Sequence, residues 1–211
     1  MRQYSSDLFD YCKNEFRNAI QNFCHNVNKS SADILVIMAH KAVLLYYVLL
    51  EQGYINKDVA KKITVTNFAL DFDSSYLKGK KIAILDDIVI SGTSIASAVQ
   101  RLMAYGVAQE NIEVIAVAID KDHFAMKFTD KNNTNVLHCD FYFDDAACIE
   151  LSSVISKVFS CYGVPYDVDF PVYDVNEISR EQIANLYDSV AWKTIRFLYK
   201  GIIINHNKNR A

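Results

Sequence analysis

Proline is nearly absent: two of the 211 residues, Pro165 and Pro171, both in one short stretch near the end. Before them no residue removes a backbone N–H, so long strands and helices are permitted throughout. Glycine is scarce too, at six residues, which argues against flexible linkers and low-complexity architecture. The five cysteines (Cys12, Cys24, Cys139, Cys148, Cys161) are scattered, odd in number and form no CxxC pair. That spacing suits small buried hydrophobes in a reducing compartment better than a disulfide frame or a zinc site. The greasiest run, Ala42 to Leu50, covers nine residues, far short of the ~20 that span a bilayer, and Met1 to Ser6 carries no apolar signal core. Positive charge is short as well. Lys and Arg number 22 against 25 Asp and Glu, for a net charge of -3. Basic residues cluster only at Lys61-Lys62 and at Lys78, Lys80 and Lys81. A nucleic-acid partner would need a basic stripe, and there is none. The expectation is a soluble, cytoplasmic protein with no membrane or nucleic-acid partner.

Hydrophobic residues make up 51% of the chain and aromatics 12%, ample for one packed core. Leu8, Cys12, Ala19, Ile20, Phe23 and Val27 recur at helical spacing, predicting an amphipathic helix over 6–27, capped by Ser5 or Ser6. Apolar runs at Asp33 to Ala39, Ile63 to Leu70, Lys81 to Leu85, Ile112 to Ile119 and Val136 to Phe143 read as strands buried on both faces. Helical patterns fall between or after them, at Ala42 to Glu51 (stopped by Gly53), Thr93 to Tyr105 (closed by Gly106) and about Ala146 to Tyr162. This alternation predicts an α/β fold, a doubly wound, mostly parallel five-stranded sheet flanked by helices. Val164 to Val175 holds both prolines and reads as an extended edge segment. A last helix is expected from about Glu181 to Leu198, with Ser179 and Gln182 as a capping box. The whole, residues 1–211, is expected to be one domain, with a core over about 30–162 and appendages from 1–29 and 163–211.

The chemistry concentrates in Lys81-Ile82-Ala83-Ile84-Leu85-Asp86-Asp87-Ile88-Val89-Ile90-Ser91-Gly92-Thr93-Ser94. An apolar strand runs into two acids, and a Ser-Gly-Thr-Ser turn then opens a helix. The turn and helix start offer N–H groups and hydroxyls to an anion, with Gly92 letting the backbone approach closely. Two carboxylates at a strand's end accept hydrogen bonds from vicinal hydroxyls. Ligands of doubly wound sheets bind at the carboxyl ends of the strands, where this run lies.

The run resembles the phosphoribosyl-pyrophosphate (PRPP) motif of the type I phosphoribosyltransferases: four apolar residues, two acids, a short apolar stretch, then Thr/Ser-Gly-x-Thr/Ser. The resemblance extends over roughly 1–165 and is strong at 81–94. It implies the fold above with a small hood, formed from 1–29 and 163–211, and a C-terminal helix. It also implies PRPP or a nucleotide as ligand, Mg²⁺ as cofactor and a homodimer. In that reading Ser91, Gly92, Thr93 and Ser94 cradle the 5-phosphate, while Asp86 and Asp87 hold the ribose hydroxyls and help place Mg²⁺. His40 and Lys41, in the loop after the first strand, contact pyrophosphate, though Lys41 equally suits a side chain that snorkels from the helix start. The reaction is Mg²⁺-dependent displacement of pyrophosphate at the anomeric carbon by a base, with Asp86, Asp87 and Lys41 as its catalytic residues.

This chain departs from the family pattern twice. Met38-Ala39-His40-Lys41-Ala42 has no glycine where the family often carries Lys-Gly or Gly-Gly. Only Asp71 to Lys80 separates the second and third strands, where the family often carries a long closing loop. Those departures also suit the alternative, a catalytically weak or inactive PRPP-sensing regulatory domain. Some bacterial conflict and antiviral (anti-phage) defence proteins resemble the same family. A response-regulator-like phosphate-binding domain fits less well, because it wants a lone phosphorylatable Asp. Elsewhere, Tyr166, Phe170 and Tyr173 suit either base stacking or the core. In Asp120-Lys121-Asp122-His123-Phe124, Asp120 and Asp122 suit either general-base work or a polar turn. Asp144-Asp145 reads as the N-terminal charge of the following helix.

Overall fold

In the computed structural model, the described residues are 9, 12–38, 41–66, 77–123 and 136–161. Their order is α1 (Asn14–Lys29), β1 (Ile34–Ile37), α2 (Lys41–Glu51), a 3-10 turn at Val59–Lys61, β2 (Ile63–Thr66), β3 (Ile82–Val89), α3 (Thr93–Ala104), a second 3-10 turn at Gln109–Asn111, β4 (Ile112–Asp120), β5 (Val136–His138), β6 (Tyr142–Phe143) and α4 (Asp145–Cys161). The strands stand in the order β2-β1-β3-β4-β5, with β6 also on β4. Every pairing is parallel. The doubly wound parallel sheet flanked by helices is therefore present. Chain order reverses between β1 and β3, which opens a crevice outside their carboxyl ends.

Apolar runs became strands because both faces of the sheet are covered. Ile34 to Ile37, Ile82 to Leu85 and Val114 to Ile119 are all buried. On α1 the stripe Phe16, Ala19, Ile20, Phe23, Cys24 and Val27 is buried, and the helix packs on β4. α2 packs on β3 and on α4, and α4 also touches β3, β4 and β6. That position explains the nearly continuous apolar sequence of α2: a helix enclosed on several sides has little need of a polar face. Gly106, at φ 84°, closes α3 in the left-handed conformation. Its N–H donates to Met103 O at 2.9 Å, and that of Val107 donates to Leu102 O at 3.1 Å, as in a Schellman ending. The cysteines Cys24, Cys139 and Cys148 are buried. Burial pushes the Cys24 thiol up to about 12 and the Cys139 and Cys148 thiols up to about 11, so they behave as the small hydrophobes expected of them.

Three boundaries differ from the sequence reading. Helix α1 begins at Asn14 rather than near residue 6, because Lys13 is extended (φ -57°, ψ 154°). Phe9 docks separately, edge-on to the Tyr54 ring with centroids 4.6 Å apart. Strand β3 continues to Val89 instead of ending at Leu85. The fifth strand comes in two pieces, interrupted at Cys139–Phe141, yet both keep one register on β4: Val136 faces Glu113 and Phe143 faces Asp120. Ser5 and Ser6, the Pro-containing segment, the last helix and the hood aromatics lie outside the described residues. Among the described residues, no helix is long and apolar enough to cross a membrane.

Ile84 is fully buried at the middle of the sheet, so Ile84→Ala leaves a cavity there. The expected loss is about 2–5 kcal/mol, read as a lower urea midpoint with an unchanged slope.

Candidate functional site

Strand β3 carries both acids inside its last turn of pleat. Asp86 faces Ala116 and Ile88 faces Ala118 in the ladder with β4. Beyond Val89 the chain turns through Ile90 and Ser91 to Gly92, which sits at the N-cap of α3 with φ 72° and ψ 2°. That left-handed backbone favours glycine, which adopts it without a Cβ penalty. A cavity of about 320 Å³ results, lined by Asp86, Ile88, Val89, Ile90, Ser91, Gly92, Thr93, Ser94 and Ile95.

The cavity offers two kinds of donor and acceptor. At one side no side chain caps α3. Ser91 Oγ donates to Thr93 Oγ1 at 3.0 Å and stands 3.4 Å from the Thr93 N–H. The N–H groups of Ser94 and Ile95 have no acceptor among the described residues. Such free amides with flanking hydroxyls attract an anion. At the other side stands Asp86, half-buried, its Oδ1 accepting the Asp87 N–H at 2.9 Å. Burial, and then the Asp87 carboxylate beside it, push the Asp86 carboxyl well above the usual range. Two adjacent acids that resist joint ionisation make a site that a cation or hydroxyl donors would relieve.

The residues singled out in the sequence are not all gathered there. Asp86, Ser91, Gly92, Thr93 and Ser94 share the cavity lining, whereas Asp87, next along the strand, is half-buried and absent from it. Lys41 opens α2, and its Nζ donates to Ser152 Oγ on α4. It is half-buried and has no carboxylate partner among the described residues. His40 lies outside the described residues.

A second polar group occupies the same end of the sheet. Asp120 ends β4 and is fully buried, the one buried polar or charged side chain among the described residues. Its Oδ1 accepts N–H bonds from Asp122 at 2.8 Å and His123 at 3.1 Å. Its Oδ2 stands 3.1 Å from His123 Nδ1. Burial pushes this carboxyl up, but the bonds from Asp122 and His123 together outweigh it and hold the group below its ordinary value. The hydrogen bond to Asp120, then its charge, raise the imidazole of His123. Ligating atoms of Asp120, His123 and Asp145 lie within 4.8 Å of one another. The reading of residues 120–124 named the acids and missed the histidine. Its signal was the Asp-x-x-His spacing directly after a buried strand. Asp144 behaves as expected of a helix start: its Oδ1 accepts the Ala147 N–H at 2.9 Å, and Asp145 lies in the first turn.

The Asp120–His123 pair predicts a stability optimum. A depressed carboxyl contributes above its ordinary value, 3.8, and the contribution is lost as pH falls through the folded value. A raised imidazole contributes fully below its ordinary 6.5 and the contribution is lost as pH rises through the folded value. Urea midpoints should therefore decline on both sides of the window between those ordinary values, and His123→Gln should flatten the alkaline side. The ring is exposed, so the change will be small.

No family model matches the chain, and no curated protein does. Among solved structures, the chain is similar to a hypoxanthine-guanine-xanthine phosphoribosyltransferase at 12% identity and a TM-score of 0.42, covering 62% of this chain and 75% of that one. It is similar to a hypoxanthine phosphoribosyltransferase from Staphylococcus aureus at 12% identity and a TM-score of 0.40, covering 62% and 74%. It is also similar to a purine phosphoribosyltransferase from Pyrococcus horikoshii at 13% identity and a TM-score of 0.39, covering 62% and 82%.

Proposed function

We propose that the β3–α3 cavity binds the 5-phosphoribosyl group of PRPP or a nucleotide, and that the protein transfers this group to a base with release of pyrophosphate. One observation carries the reading: a strand-end carboxylate and an uncapped helix start with flanking hydroxyls open onto a single cavity of about 320 Å³. A sugar phosphate has that same polarity, hydroxyls at one end and a dianion at the other. The amides of Ser94 and Ile95 and the hydroxyls of Ser91 and Thr93 take the phosphate, and Asp86 accepts from the ribose. Asp87, the next residue along, completes the diacid.

Mg²⁺ fits the donor set. Asp86 and Asp87 are hard oxygen ligands, and burial followed by the Asp87 charge raises Asp86, a cost that a divalent cation relieves. Asp86 and Asp87 would hold the ion, which would supply positive charge beside the departing pyrophosphate. The chain's own part is positioning: the cradle fixes the 5-phosphate, Asp86 orients the ring, and the anomeric carbon is presented at the open side of the crevice.

A second reading, ligand sensing without turnover, is favoured by Lys41. Its ammonium is engaged by Ser152 on α4, so contacting pyrophosphate requires that bond to give way. A sensor has no such requirement.

Calorimetric titration of PRPP with Mg²⁺ tests the site. Asp86→Asn and Asp87→Asn together should weaken binding by about 10- to 100-fold, as for lost hydrogen bonds to charged groups. Gly92→Val should weaken it as well, by distorting the cradle. An affinity indifferent to all three substitutions would remove this site. Pyrophosphate release in the presence of hypoxanthine, guanine, adenine, uracil or orotate then separates transfer from sensing.

A further inference from the structure

We infer that His123, oriented by the buried carboxylate of Asp120, accepts the proton of the incoming base nitrogen, an assignment that rests on the transfer reading above. A buried carboxylate is costly unless fully hydrogen-bonded. Two backbone N–H bonds to Oδ1 would already make a stable turn after β4. The chain goes further and sets Oδ2 against the imidazole at 3.1 Å. An ionised carboxylate only accepts, so in the neutral ring Nδ1 carries the hydrogen and Nε2 keeps its lone pair. The side chain of His123 is 58% exposed, so the ring has access to solvent and to a ligand.

Asp120 ends the strand next to the one that leads into the cavity. Ile119 pairs with Val89, and the next residues are Asp120 at the end of β4 and Ile90 in the turn after β3. Ile90 lines the cavity. The cavity itself is poor in proton acceptors, since Asp86 is its one titratable lining residue. Groups facing the imidazole are Asp120 and Asp122 from the turn and Asp145 from the first turn of α4. The cation of that turn, Lys121, is drawn to Asp144 at 3.9 Å.

The step is redox-neutral and balances. The base nitrogen forms a bond to the anomeric carbon, and the bond from that carbon to the pyrophosphate oxygen breaks, its electron pair leaving with pyrophosphate. The proton on the nitrogen passes to His123 Nε2 and from the exposed ring to solvent.

The test is pyrophosphate release from PRPP and Mg²⁺ with the five bases above, across pH, for the unsubstituted chain, His123→Gln and Asp120→Asn, with PRPP affinity measured by calorimetry. The expectation for His123→Gln is a fall in turnover of roughly 100-fold or more, unchanged PRPP affinity, and loss of the acid limb of the pH profile. Asp120→Asn should lower turnover too. If that buried substitution prevents folding, His123→Gln decides alone. Unchanged turnover in His123→Gln overturns the assignment, and so does a fall matched by an equal fall in PRPP affinity. An unsubstituted chain that turns over no base also overturns it. In that case retained PRPP binding leaves the ligand site standing, and absent binding removes the transfer reading as well.

Discussion

The parallel ladder between β3 and β4 is the constraint on which the site depends. Its pairs run from Ile82 and Ile112 to Val89 and Ile119, and the apolar part is buried on both strands. A one-residue slip would exchange the two faces of β3 along its whole length. Asp86 would then leave the cavity and Ile88 with it. The same ladder sets where β4 ends, and therefore where the buried Asp120 stands relative to the β3–α3 loop. Apolar burial at one end of two strands thus fixes the positions of two carboxylates at the other.

Those carboxylates show how environment, not residue type, assigns chemistry. Asp86 is raised because burial and the Asp87 charge act in one direction. A single backbone N–H, that of Asp87, bonds it. Asp120 is more deeply buried, yet three donors hold it below its ordinary value. Two acids on adjacent strands therefore differ in the pH range over which they carry charge. Such separation is what acid–base chemistry requires when both groups serve one reacting centre. A half-buried acid with few donors suits hydroxyl or cation binding, and a fully bonded anion suits orienting a neighbouring base.

Much of this was legible in the sequence. Continuous apolar runs in a chain nearly free of proline and glycine leave few choices besides strands buried on both faces. Ser91 to Ser94 after two acids marks a strand-to-helix turn. What misled was local preference set against pairing. Asp is disfavoured in strands, so β3 read as ending at Leu85, but β4 extends to Asp120 and offers ladder partners that carry β3 on to Val89. The interruption at Cys139–Phe141 was illegible because apolar residues flank the single Asp140 on both sides, and the register is kept across the gap. Long-range partners such as Lys41 with Ser152 have no sequence signature at all, since they arise from α2 packing on α4.

The Asp120–His123 pair lies between these cases. Its spacing is local and readable, but a polar turn after a strand has the same letters. What separates the two is burial, which depends on β4 being an interior strand flanked by β3 on one side and by β5 and β6 on the other. An edge strand would leave the carboxylate in water, where the imidazole would gain little from it. With Asp120 enclosed, its charge is screened less and acts on the His123 ring 3.1 Å away. The central place of β4 in the sheet therefore gives a short turn the means to orient an imidazole at the carboxyl end of the sheet.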